Sequence, residues 1–128
     1  MTYSEMAALA RSLLNPKEHG EFFSSGFVAA VIEGANGKYY TGVNIDLACG
    51  LGFCAERSAA AAMITDGECI ARRVVCVGRD GKPMPPCGCC REFFRLLSPE
   101  NERTEFLLAE QPLKTAALAE LLPAPWQK

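Results

Sequence analysis

Histidine and tryptophan occur once each among the 128 residues. No apolar run approaches the length of a membrane span. The lone histidine, His19, falls in a predicted loop and reads as a solvated side chain rather than a metal ligand. A net charge of -2 leaves no electrostatic footprint for nucleic acid. The first residues lack a basic segment followed by an apolar one, so no secretory signal is expected. Repeats, linkers and low-complexity tracts are also missing. From these absences a cytoplasmic protein that binds neither nucleic acid nor membrane is expected.

Cysteine, by contrast, is plentiful at seven residues. The number is odd and there is no secretory context, which points to thiols in a reducing compartment rather than a disulfide framework. Residues 1–128 are enough for a single domain with a real core. With 49% apolar and 22% charged residues, the composition is that of a soluble globular chain.

Residues 2–15 predict an amphipathic helix. Thr2 and Glu5 form a capping box, Met6, Leu9, Ala10 and Leu13 share a face, and Asn15-Pro16 ends it. Residues 17–25 read as a loop. A strand over 26–33, a tight turn at Asn36-Gly37 and a strand over 38–44 make a hairpin. A small-residue loop leads to Cys54, where an alanine-rich helix runs to Thr65 and stops at Asp66-Gly67. A strand over 73–78, a proline-rich loop, a helix over 88–97, a strand over 105–109 and an amphipathic helix over 113–121 complete the chain. Helices alternating with strands after a hairpin imply an α/β fold, with helices covering the sheet.

The chemistry concentrates in Phe53-Cys54-Ala55-Glu56-Arg57 and Pro86-Cys87-Gly88-Cys89-Cys90. Cys54 stands at the start of one predicted helix, and Cys87 and Cys90 at the start of another. Helix N-termini carry partial positive charge, which favours thiolates, and the C-x-x-C spacing turns two sulfurs toward one ion. Three thiolates with a neighbouring carboxylate suit a catalytic zinc with one open position. A structural zinc would need a fourth ligand, for which Cys49, Cys76, Cys89 and His19 are available. Cys49, Cys69 and Cys76 read as small apolar side chains, and Cys89 points away from Cys90.

The run Cys54-Ala55-Glu56-Arg57 followed by Pro86-Cys87-Gly88-x-Cys90 resembles the cytidine deaminase family of zinc-dependent nucleoside deaminases. The resemblance implies a three-layer fold with a five-stranded mixed sheet and helices on both faces. It also implies a zinc ion on Cys54, Cys87 and Cys90. Water activated there would attack C4 of cytidine or deoxycytidine, with Glu56 shuttling protons and ammonia released. Arg57 would donate hydrogen bonds to the zinc cysteines, and Ala55 would offer backbone hydrogen bonds to the pyrimidine. Gly42-x-Asn44-x-Asp46 resembles the family's G-x-N-x-E, which assigns Asn44 and Asp46 to the ribose, although Asp46 is one methylene shorter than the usual Glu. Both could instead cap the end of a strand. The phenylalanine that the family places against the base aligns near Ser25, flanked by Phe22, Phe23 and Phe27. That change and a loop one residue short before Cys54 resemble blasticidin-S deaminases, whose substrate is a modified cytosine nucleoside. Leu121-Leu122-Pro123 followed by Trp126 resembles the segment whose aromatic reaches a neighbouring subunit's site in tetrameric members, so a homotetramer is implied. A zinc-stabilised binding module without catalysis is the expectation from a different class, and the presence of Glu56 speaks against it.

Overall fold

The computed structural model describes residues 1–127. Thr2 caps helix α1 (Tyr3–Leu13) as its sequence predicts. The Thr2 hydroxyl accepts from the Glu5 N–H at 3.1 Å, and the Glu5 carboxylate accepts from the Thr2 N–H at 2.9 Å. Six strands follow: β1 (Lys17–Gly20), β2 (Phe23–Gly34), β3 (Tyr39–Leu47), β4 (Ala71–Val77), β5 (Glu105–Glu110) and β6 (Leu113–Ala117). Three further helices lie between or after them: α2 (Ala55–Thr65), α3 (Gly88–Leu97) and the short α4 (Leu118–Leu121). All six strands belong to one mixed sheet, in which β4 and β5 run parallel and the other pairs antiparallel.

The sheet has one strand more than the five implied by resemblance. The region predicted as a loop over 17–25 contributes it. Lys17 and Glu18 pair with Ser25 and Ser24, while β4 pairs with β2 from Ala29 onward. β3 follows the other edge of β2, so β1 and β4 divide the remaining edge between them. The helix predicted over 113–121 is the second departure. Its first half is β6, antiparallel to β5 with Phe106 opposite Ala116, and only Leu118–Leu121 is helical. Leucine and alanine favour a helix locally, but β5 would be left with unpaired backbone groups without this partner, and the tertiary pairing prevails.

Period-two alternation builds the three layers. Ala30 and Ile32 of β2 and Val74 and Cys76 of β4 face α2, α3 and α4. Ala29, Val31, Val75 and Val77 face α1 on the opposite side. α2 lies close against β3, where a Cβ on Gly42 would come within 2.4 Å of the Ala59 nitrogen. Behind α3, the fully buried Asn101 accepts from the Ala71 N–H at 2.9 Å and donates to the carbonyls of Cys69 and Phe94. The first contact seats α2 on β3, and the second ties α3 to the start of β4.

Candidate active site

Cys54 and Cys87 occupy equivalent places as the N-cap residues of α2 and α3. The approach to Cys54 is set by a two-way backbone pairing of Ile45 with Phe53, at 3.0 and 2.9 Å. Gly52 makes that pairing possible, since a Cβ there would meet the Ile45 carbonyl at 2.0 Å. Cys90 lies in the first turn of α3. The sulfurs of Cys54, Cys87 and Cys90 all fall within 4.8 Å of one another, and Cys54 Sγ is 3.7 Å from Cys87 Sγ. Among the described residues this is the only cluster of its kind, and no fourth Cys, His or carboxylate joins it.

This donor set fits a metal ion. Burial pushes the Cys54 and Cys90 thiols above their ordinary range. At Cys87 burial acts the same way but is outweighed by the Cys90 N–H and the neighbouring thiols, so this thiol sits below its usual value. Three adjacent thiolates require a cation to compensate their charge, and metal binding releases the protons. Arg57 Nη2 is 3.9 Å from Cys54 Sγ, and its buried Nε has no hydrogen-bond partner. A guanidinium so placed adds positive charge beside the sulfurs. The open fourth position is the arrangement of catalytic rather than structural sites.

The trio forms one wall of a cleft of about 740 Å³. Glu56 lines it while only 4% exposed, and burial raises its pKa above the usual carboxylate range despite its own backbone N–H, the Cys76 thiol and Arg57. Ala55 is fully buried and also lines the cleft, as do Asn44 and Asp46. Asn44 is tightly committed. Its Oδ1 accepts from the Phe27 and Val28 N–H groups, both at 2.8 Å, and its Nδ2 donates to Asp46 Oδ2 at 3.0 Å.

Those bonds hold an irregular segment of β2 where the register shifts between Ser25 and Ala29. Gly26 permits it with φ +83°, in a position where a Cβ would strike the Asn15 carbonyl. The result is that Phe27 lines the cleft, with the Arg79 guanidinium 5.1 Å over its ring. Ser25, the position that sequence alignment selects, is not among the lining residues and bonds His19 at 2.7 Å instead. Trp126 is 78% exposed and does not line its own chain's cleft, although its backbone N–H is held by Glu92 at 3.1 Å.

Sequence reasoning missed Phe27 and Cys76 as cleft residues. The strand alternation Val74, Cys76 was the available signal for the second. Cys49 and Cys69, expected to pack as apolar side chains, are exposed.

A three-layer α/β fold whose two helix N-termini bring three thiols together beside a buried acid defines a class: proteins with a three-thiol cluster able to hold a metal ion in a ligand-sized cleft. No family model matches the chain. A cytidine deaminase from Halalkalibacterium halodurans is 30% identical over 97 residues, which cover 75% of this chain and 74% of the relative. Among solved structures, the cytidine deaminase from Mycobacterium leprae superposes with a TM-score of 0.78 at 24% identity, covering 97% of this chain and 99% of that one. The Mycobacterium tuberculosis cytidine deaminase superposes with a TM-score of 0.81 at 20% identity, covering 100% and 99%. The chain belongs to the cytidine deaminase family.

Proposed function

We propose that this protein is a zinc-dependent hydrolase that deaminates cytidine or deoxycytidine to the corresponding uridine, with release of ammonia. The observation that carries the reading is the meeting of Cys54, Cys87 and Cys90 with the buried carboxyl of Glu56 in one cleft. When bound by the three cysteines, zinc would supply an acidified water as the nucleophile and polarise the reacting carbon.

The chain's own groups do the rest. Glu56 accepts a proton from the attacking water and delivers it to cytosine N3 as the oxygen adds at C4. The proton remaining on that oxygen is then passed by Glu56 to the 4-amino group, which leaves as ammonia. A carboxyl held above its ordinary pKa suits both directions of transfer. Arg57 offsets the sulfur charge, and the Ala55 backbone orients the pyrimidine. Asp46, steadied by Asn44, accepts from a ribose hydroxyl, and Phe27 provides the aromatic wall for the base. With Phe27 in that place, the base keeps an aromatic contact although Ser25 stands at the aligned position.

The exposed Trp126 supports a homotetramer in which this side chain enters a neighbouring subunit's cleft. The deciding experiment follows loss of the 4-amino chromophore by absorbance for cytidine, deoxycytidine and blasticidin S. Turnover of the first two is expected. A preference for blasticidin S above about tenfold in kcat/KM, equal to about 1.4 kcal/mol, would overturn the substrate assignment.

A further inference from the structure

Two partly buried side chains that the scheme above does not use, Arg91 and Glu92, directly follow Cys90 in α3. Both reach the C-terminal segment. Arg91 Nε donates to the Pro86 carbonyl at 2.9 Å, and Arg91 Nη1 donates to the Leu121 carbonyl, also at 2.9 Å. The Glu92 carboxylate accepts from the Trp126 N–H at 3.1 and 3.4 Å. The Pro86 carbonyl belongs to the same planar peptide as the Cys87 nitrogen, so the first bond orients the backbone at an N-cap cysteine. Leu121 is the last residue of α4, where a carbonyl has no partner within the helix, and its side chain packs against the core with that of Leu122.

We infer that Arg91 and Glu92 couple the thiol site to the C-terminal segment, so that metal binding and the placement of Trp126 depend on each other. When Cys87 and Cys90 are held by an ion, the first turn of α3 and the peptide before it lose freedom to move. Groups that orient ligating side chains from outside tune metal affinity, and the Arg91 bond to the Pro86 carbonyl is such a contact. The same guanidinium holds Leu121, and Glu92, one residue along, carries the link to Trp126. Arginine suits the bridge because its planar fork presents several N–H donors in fixed directions, whereas lysine offers one nitrogen. Coupling between two sites acts equally in both directions, so loosening the C-terminal segment weakens the metal site.

The inference rests on the metal site and not on the deaminase reading, and its test needs no turnover. Trp126 is the single tryptophan, so selectively excited emission reports its surroundings alone. Zinc added to metal-stripped protein should shift that emission and raise its anisotropy, reaching a limit at one zinc per chain. Arg91→Lys should bind zinc about tenfold more weakly in competition with a chromophoric chelator, the weak end of the range for a lost hydrogen bond to a charged group. In the zinc-loaded variant, amide exchange should quicken around Cys87 and Leu122 but not in β2 and β4, whereas a general loss of stability would quicken it throughout. Glu92→Ala, which leaves the bond to Pro86 in place, should lose most of the emission change and bind zinc only a few-fold more weakly. Trp126 emission that zinc leaves unchanged in the wild type overturns the inference. So does an emission change that Glu92→Ala leaves intact, or an Arg91→Lys protein with wild-type zinc affinity. Wild-type protein that shows the coupling but deaminates none of the cytosine nucleosides would refute the proposed function and leave the inference standing.

Discussion

Glu56 and Phe27 owe their proposed roles to different causes. Glu56 is placed by its sequence neighbours: two residues after the N-cap cysteine, it must lie in the first turn of α2, at the mouth of the thiol cluster. Glu56→Gln removes the titratable group while keeping its shape. It is expected to retain fold and zinc and to lose kcat by about 10²–10⁴-fold or more, since proton transfer alone is worth that much. Retention of a tenth of wild-type activity would remove Glu56 from the mechanism. Phe27 depends on long-range geometry, because Gly26 and the Asn44 amide together turn it into the cleft. An aromatic contact contributes roughly 0.5–1.5 kcal/mol beyond its area, so Phe27→Ala should raise KM for cytidine about 2–10-fold. Ser25→Ala should leave KM unchanged. The reverse result in a steady-state comparison would return the aromatic role to the aligned position.

At the scale of elements, a polar cluster joins β2, β3 and β4 away from the cleft. Glu33 stands opposite Arg73 on β4 and opposite Tyr39 on β3. Arg73 Nε donates to Glu33 Oε1 at 2.7 Å, the Tyr39 hydroxyl donates to Glu33 Oε2 at 3.0 Å, and the Arg73 guanidinium lies 5.0 Å over the Tyr3 ring of α1. The Arg73 hydrogen bond, opposed by burial and assisted by Tyr39, holds the Glu33 carboxyl below its ordinary value. A depressed carboxylate contributes stability that is complete above the unfolded pKa of about 4.3. That contribution fades as pH falls through the lower folded value. Chemical denaturation of the wild type should therefore weaken below about pH 4.3, and Glu33→Gln should flatten that part of the profile. At neutral pH the variant should lose about 1–2 kcal/mol. An unchanged acid limb would show that other carboxylates control acid stability. The same edge-by-edge pairing accounts for the two missed strands. β1 and β6 have short, weakly patterned sequences, and only their neighbours β2 and β5 supply the hydrogen bonds that make them strands.

For the molecule as a whole, metal and assembly are the measurable properties. Metal-replete purification should yield one zinc per chain, and a chelator should abolish activity and lower Tm, because binding energy at three thiolates adds to folding. Protein without zinc by elemental analysis would sink the metal assignment. Light scattering should give a tetramer, and Trp126→Ala should raise KM without unfolding the subunit; a fully active monomer would refute the shared-site arrangement. Much of this was legible from the chain alone. The capping box, the Asn36-Gly37 turn, α2 and α3, and the two cysteine segments are local patterns of residues close in sequence, and local sterics and hydrogen bonding suffice to specify them. The convergence of the two helix N-termini, the turning of Phe27 into the cleft and the placing of Cys76 in the cleft wall were decided only by the tertiary structure. Each depends on strand register and sheet order, which bring together residues tens of positions apart and leave no periodic trace in the sequence between them.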